Sequence, residues 1–140
     1  MAKFIHSVMQ PLTAIAAAGQ VAYECPVNPL SHLLINISPL NETTAPATYR
    51  NLANMATAIT QIQVTYQGNA VVALSGADLL QSLLWYWGKM PGSSNAGIAN
   101  NERRSLVLPV IFGRQVYNSA EALPATRRGE LQLLVTWAIA

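Results

Sequence analysis

Short runs in which apolar and polar residues alternate one by one recur along most of this chain. The clearest is TQIQVTYQ, in which Ile62, Val64 and Tyr66 would share one face of a strand. Gly68 and Asn69 follow as a two-residue turn, because glycine reaches the positive φ that such a turn needs, and AVVAL returns from it. An α-helix has a period of 3.6 residues, so this pattern predicts a protein built mainly from antiparallel strands.

Eight segments have the composition or the alternation of a strand, and they include SLVLPVIF, where Pro109 predicts an edge or bulged strand. They lie near residues 3–9, 12–18, 20–26, 32–38, 57–67, 70–75, 105–112 and 130–138. A helix is expected over Ala77 to Trp87, since Ser75 can cap its start and Gly88 can end it. A shorter helical piece is expected around Tyr49 to Ile59.

These elements suit an all-β chain, a single jelly-roll β-sandwich of about eight antiparallel strands with one or two short helices. At 140 residues the chain has the length of one domain, which we place at 1–140. The pattern does not indicate the strand order. The polar segment from Lys89 to Glu102 is predicted to be a loop inside that domain, long enough to carry function or to lie at a contact. No stretch has the length and apolarity of a membrane-spanning helix.

The composition points to a surface that meets other protein. Hydrophobic residues make up 51% of the chain and charged residues 10%, whereas about 25% charged is usual for a soluble protein. A protein that stays monomeric needs charges to keep its copies apart. We therefore expect much of the surface to be covered by protein or, less favoured, by lipid in the working state. The net charge of +2 is too small for an electrostatic footprint on nucleic acid.

Catalytic parts are scarce. The chain has one Asp, five Glu and two His, so a hydrolytic triad would have to combine Asp78, a helix-start residue, with His6 or His32. Cys25 and the histidines lack the close spacing of a zinc site, and no glycine pattern resembles a phosphate loop. We predict no enzymatic activity, no cofactor, no metal and no small-molecule substrate. Cys25 is expected to be a buried thiol, and His32 a surface or hydrogen-bonded histidine.

Two arginine pairs and an aromatic cluster are the candidate contact residues. Arg103–Arg104 and Arg127–Arg128 each precede a late strand, where they are solvated strand ends, ionic contacts to a neighbouring subunit, or nucleic-acid contacts. In LLWYWGKM a helix cannot turn all three aromatic residues to one core. We assign Trp87 to the core, and Trp85 or Tyr86 to an interface or to local packing.

The last third of the chain resembles the closing part of jelly-roll capsid proteins from tailless, membrane-containing icosahedral viruses. The resemblance rests on Leu108-Pro109-Val110, Phe112-Gly113-Arg114, Leu123-Pro124 and the alternating run from Leu131 to Trp137. VTYQGNAVVALSGADLL, a hairpin leading into a helix, is similar too. The chain length is similar to that of the single-barrel capsid proteins of the sphaerolipovirus type.

The resemblance implies a structural virion protein that is made in the host cytoplasm and assembles into capsomers of an icosahedral shell. Its partners would be copies of itself and a second capsid protein, with contact to an internal viral membrane and no specific nucleic acid. It adds Arg114 to the candidate contact residues. Three other classes stay open: a ligand-binding β-sandwich such as a lectin-like or receptor-binding module, an enzyme, and a nucleic-acid binder.

Overall fold

The structure is a computed structural model that describes residues 4–15, 17–40, 52–89, 103–124 and 127–138. These residues contain six strands and two short helices. In chain order they are β1 (Gly19–Glu24), β2 (His32–Ile37), α1 (Leu52–Thr57), β3 (Ile59–Tyr66), β4 (Asn69–Leu74), α2 (Gly76–Trp87), β5 (Leu106–Ile111) and β6 (Leu131–Trp137). The prediction of a mostly β chain with one or two short helices is confirmed, and the described residues contain two.

The strands form two antiparallel sheets with a nested order of pairing. One sheet has the order β1-β6-β3-β4 and the other contains β2 and β5. Among the described strands, β1 pairs with β6, β2 with β5 and β3 with β4. This is the pairing of a long hairpin whose tip is the β3–β4 turn, except that the middle pair lies in a separate sheet. The additional pairing of β3 with β6 joins the innermost and outermost pairs in the larger sheet.

The tip of that hairpin lies one residue earlier than the alternation predicted. Tyr66 and Asn69 are the last paired residues, so Gln67 and Gly68 form the turn. Both have positive φ, 51° and 81°. A two-residue turn of this mirror-image type matches the twist of the strands only when both central residues adopt positive φ, which explains why the turn includes Gln67.

One hydrophobic core unites both sheets and both helices. Ile62 and Val64, predicted to face inward, are completely buried, whereas Tyr66 at the strand end is only partly buried. Each of the two helices contacts both β3 and β5, which belong to different sheets. The helices therefore close the space between the two sheets where β3 and β5 lie. None of the described helices is long and apolar enough to cross a membrane.

Helix α2 has the cap residues that its sequence predicted, and it begins at Gly76, one residue before the predicted Ala77. Ser75 accepts a hydrogen bond from the backbone N–H of Asp78 at 3.1 Å and donates its own hydroxyl proton to the Asp78 carboxylate at 2.7 Å. Gly88 ends the helix with a φ of 63°, and its N–H binds the carbonyl oxygen of Leu84. The buried residues Leu79, Leu80 and Leu83 attach one face of the helix to the core.

The prediction that Pro109 marks an edge strand is confirmed, because β5 pairs only with β2 among the described strands. Phe112 donates its N–H to Ser31, and Arg104 donates its N–H to Pro39. The backbone N–H groups of a strand point alternately to its two sides. Those of the even-numbered residues between Arg104 and Phe112 therefore point toward β2, and the position of Pro109 faces away from β2. The missing N–H of proline therefore removes no hydrogen bond from this sheet.

The first two predicted strands, near 3–9 and 12–18, are wrong for the described residues. Residues 4–15 and 17–18 contain no strand, and we call residues 4–15 the arm. Ile5, Val8 and Leu12 are exposed rather than packed in the core. The segment has a β-like composition but no regular alternation, and Pro11 cannot donate a backbone hydrogen bond. Of the predicted loop from Lys89 to Glu102 only Lys89 lies among the described residues; Tyr49, in the predicted helical piece, also lies outside them.

Candidate functional site

The outer face of α2 carries large aromatic side chains that the fold does not cover. Trp85 is 92% exposed on the side of α2 opposite to the buried Leu79, Leu80 and Leu83, and Tyr86, near the end of the helix, is 56% exposed. At 100° per residue, Trp85 points roughly 190° away from the middle of the leucine face, whereas Tyr86 lies almost in line with Leu79 but beyond the last buried residue, Leu83. We call Trp85, Tyr86 and Trp87 the aromatic surface.

Trp87 does not pack in the core as the sequence predicted, because 39% of it is exposed. It is the last residue of α2, just before the left-handed Gly88 that ends the helix. The buried contacts of α2 stop at Leu83, one turn earlier. The spacing of Trp87 from the buried leucines is therefore helical, but the helix extends past the end of the core.

Tyr86 is joined to Arg114, another predicted contact residue. The Tyr86 hydroxyl donates to the carbonyl oxygen of Arg114 at 2.9 Å. The Glu121 carboxylate accepts hydrogen bonds from Arg114, including one from its backbone N–H at 2.7 Å and one from its guanidinium Nη2 at 2.8 Å. These hydrogen bonds from Arg114 lower the pKa of the Glu121 carboxyl. Arg114 is thus paired inside its own chain, and it ties the connection after β5 to the end of α2.

Arg127 and Arg128 lie at the same end of the molecule, in the turn before β6. The Arg128 Nε donates to the carboxylate of Glu24, the last residue of β1, at 3.1 Å. The backbone N–H of Arg127 donates to Glu130 at 3.0 Å, and Gln67 in the β3–β4 turn also donates to Glu130, at 2.7 Å. These contacts join three strand ends, and Arg128 remains a solvent-exposed ion pair.

Arg103 and Arg104 lie at the opposite end, beside the last residues of β2. The Arg103 Nη1 donates to the Ser38 carbonyl oxygen at 3.3 Å, and the Arg104 N–H to that of Pro39, also at 3.3 Å. The predicted contact residues therefore do not form one site. The structure brings Tyr86 and Arg114 together, places Arg127 and Arg128 at the same end, and separates Arg103 and Arg104 from them.

A cluster of aromatic rings that the sequence did not predict joins the arm to the body of the protein. His6 and Phe4 from the arm contact Tyr117, with ring centroids 5.8 and 5.2 Å apart, and His32 lies 5.0 Å from Tyr117. We call Phe4, His6, His32 and Tyr117 the ring cluster. Tyr117 has a φ of 63°, which is unusual for a residue with a large side chain. Contacts across more than 100 positions leave no signal in local spacing.

The rest of the arm presents apolar side chains to solvent. Ile5 is 89% exposed and Val8 is 82% exposed, and Leu12 and Ile15 are exposed as well. Met9 is the exception, since it packs partly buried against the core. The arm therefore has an inner side that touches the body and an outer apolar side. The composition predicted that much of the surface meets other protein, but it did not predict where on the molecule the exposed apolar residues lie.

The described groups predicted to have no catalytic role have structural partners. Asp78 is bound to Ser75 in the helix cap, and the Nδ1 of His32 lies 3.3 Å from the Ser31 hydroxyl. Cys25 is buried, as predicted, and burial raises the pKa of its thiol. Within the described residues no group of three or more His, Cys, Asp or Glu side chains is placed to hold a metal ion.

The sequence was also compared with known proteins. It matches no protein-family model and no curated protein.

Proposed function

We propose that this chain is a structural capsid subunit, which assembles with copies of itself and with a second capsid protein into capsomers of an icosahedral shell. The observation that carries the proposal is the aromatic surface, above all the 92% exposed indole of Trp85. Exposed aromatic groups of this size on a protein with few charges favour a surface that is buried against another protein. The role in a virion comes from the resemblance of the closing segment to jelly-roll capsid proteins.

The pairing of the strands supports a jelly-roll fold, which is part of this proposal. An eight-stranded jelly roll is a long hairpin rolled up so that successive nested pairs fall in alternate sheets. Here β1–β6 and β3–β4 lie in one sheet and β2–β5 in the other. We propose that this is a shortened jelly roll, in which β3–β4 is the third nested pair and its tight turn stands in place of the innermost strand pair.

The exposed apolar side chains would supply much of the area that a specific contact needs. A fully buried Trp or Tyr contributes about 150–250 Å², and a standard interface covers roughly 800 Å² on each partner. The aromatic surface and the outer side of the arm would together supply a large part of that area. Since Arg114 and Arg128 already pair with Glu121 and Glu24, we assign the arginines to the polar rim of such a contact.

The proposal is tested by measuring assembly directly. Multi-angle light scattering over a range of concentrations, followed by negative-stain imaging of the largest species, should show hexamers, sheets or shells. Trp85→Ser should shift this assembly to at least tenfold higher concentration, equivalent to about 1.4 kcal/mol or more. Val71→Ser is the matched control, because Val71 is an exposed apolar residue of β4 outside the aromatic surface. A chain that stays monomeric, alone and with other virion proteins, would contradict the proposal.

A second candidate function, a ligand-binding β-sandwich, is favoured by one observation. Gln81, Ser82, Leu84, Trp85 and Tyr86 line a shallow hollow on the outer face of α2. An exposed indole beside polar side chains is able to stack on the apolar face of a sugar ring. Binding to a glycan array by a monomeric chain, lost in Trp85→Ser, would support this function over a capsid role.

A further inference from the structure

The arm is docked on the protein through the ring cluster. The Nε2 of His6 lies 3.2 Å from the Tyr117 hydroxyl, and Phe4 packs edge-on against the same ring. Tyr117 is held in turn by its backbone N–H, which donates to the Ser31 hydroxyl at 2.7 Å. His32, which follows Ser31 in the chain and is the first residue of β2, supplies the remaining ring of the cluster. Four rings from three separate parts of the chain thus meet at one place.

Both histidines of the chain are in this cluster, and they face each other. Their ring centroids are 6.1 Å apart, and the Tyr117 ring lies beside both. Farther along the arm, Ser7–Met9 share a surface hollow with Tyr23, Glu24 and Arg128, and the last two are paired with each other. Tyr117 lies in a loop that also contains two charged residues, Arg114 and Glu121, and these two are paired with each other. The charge that acts on His32 is that of His6. A proton on each ring would therefore place two positive charges against one another.

We propose that docking of the arm is controlled by pH: the arm is docked at neutral pH, and protonation of His32, which faces His6 in the ring cluster, releases it in acid. In the docked state the Tyr117 hydroxyl is able to donate a hydrogen bond to Nε2 of a neutral His6. Protonation turns that nitrogen into a donor and adds the repulsion between the rings. The proposal does not depend on assembly, because every contact in it lies within one chain.

The sign of the effect follows from His32. Partial burial first, and the nearby His6 second, lower the pKa of His32 below its ordinary value of 6.5. The docked state thus binds fewer protons than the released state in the range just below pH 6.5. Docking is at full strength above this range and weakens as the pH falls through it. Endosomes and acidic growth media reach such pH values.

Release of the arm has a natural reporter in Cys25. Ser7, Val8 and Met9 of the arm line the same surface hollow as Cys25, which is the only cysteine of the chain. Cys25 is 6% exposed with the arm in place. Movement of the arm away from this hollow should therefore make the thiol more reactive.

The experiment measures the reaction of Cys25 with dithiodipyridine, a reagent that works in acid, from pH 7.5 to pH 5.0 in dilute, unassembled protein. Each rate is divided by the rate for the denatured chain at the same pH, which removes the intrinsic effect of thiol ionisation. We expect the ratio to rise several-fold on acidification. The double variant His6→Gln/His32→Gln should give a ratio independent of pH, and Tyr86→Phe, which changes a tyrosine outside the ring cluster and keeps both histidines, should retain the rise.

A flat ratio in the unmodified chain, or the same rise in the double variant, would overturn the proposal. Histidine ring NMR gives a second measurement, which needs only a single variant. The chain has two histidines, so removing one leaves the signal of the other assigned. Replacing His6 by Gln should raise the midpoint of the His32 titration. An unchanged midpoint would also overturn the proposal, since the rings would then not act on each other.

Discussion

The hydroxyl of Tyr86 donates a hydrogen bond to the carbonyl oxygen of Arg114, 2.9 Å away. This bond joins the last turn of α2 to the connection between β5 and β6. Glu121 binds both the backbone and the side chain of Arg114, so the same residue is held from two directions. The aromatic surface is therefore attached to a loop whose position is determined inside the chain.

Tyr86→Phe should loosen that loop while keeping the aromatic area. We expect a loss of about 0.5–1 kcal/mol in the free energy of unfolding, because the bond is partly solvated. Urea denaturation followed by tryptophan fluorescence measures it. Tyr23→Phe is the matched control, since Tyr23 is half-buried and the structure shows no hydrogen bond to its hydroxyl among the described residues. Equal losses in both variants would contradict the assigned role of the bond.

Glu121 should make stability depend on acid pH. Because the pKa of Glu121 is lowered from its ordinary value of 4.5 by Arg114, the folded state favours the carboxylate. Its contribution to stability is complete above that value and is lost as the pH falls through the lowered pKa. Glu121→Gln should therefore be less stable than the unmodified chain at pH 7, with a difference that shrinks toward pH 3. Thermal unfolding across this range measures the difference; a gap that stays constant with pH would contradict the pairing.

Gly76→Ala should destabilise the protein although alanine is the better helix former. A Cβ at this position would overlap the carbonyl oxygen of Ala56 and lie 3.0 Å from the Cβ of Ile59. The backbone of α1 would have to move, at a cost of about 1–3 kcal/mol. Gln81→Ala, an exposed change in the same helix, should stay within about 0.5 kcal/mol. Chemical denaturation compares the two, and equal stabilities would show that the close approach of the helices has been misjudged.

Ser75→Ala should remove the cap of α2 and cost about 1 kcal/mol. The lost bond is the one from the Asp78 N–H to the Ser75 hydroxyl. Ser82→Ala is the control, because the Ser82 hydroxyl binds the Asp78 carbonyl within the helix and caps nothing. Far-UV circular dichroism during urea unfolding measures both. A larger effect at Ser82 would contradict the capping assignment.

Strands with a regular alternation were predicted well because the information is local. In β3 and β6 each residue type specifies which face of the sheet it occupies, and the buried Ile62, Val64, Leu131 and Leu133 follow that rule. The limits of α2 were predicted from Ser75 and Gly88 for the same reason, since both caps act within one turn of helix. The arm was predicted wrongly where only composition, without period, suggested strands.

The candidate surfaces required more than local pattern. The helical period predicted that the three consecutive aromatics cannot share one core, but it left Trp85 or Tyr86 open between an interface and local packing, and it placed the exposed Trp87 in the core. The partners of Arg114 and Arg128 were not recognised, because they depend on how loops fold back over β1 and α2. The ring cluster was missed entirely, since it unites His6 and Tyr117, which are separated by most of the chain.

The local sequence is sufficient to decide that the chain forms mainly strands, which side chains of β3 face the core and, through Ser75 and Gly88, where α2 begins and ends. Each of these depends on neighbours a few residues away. The nested pairing of β1 with β6 and β2 with β5, the docking of the arm and the contacts of the arginines were decided only by the tertiary structure. They depend on which distant segments share one core, and many strand orders bury the same residues equally well.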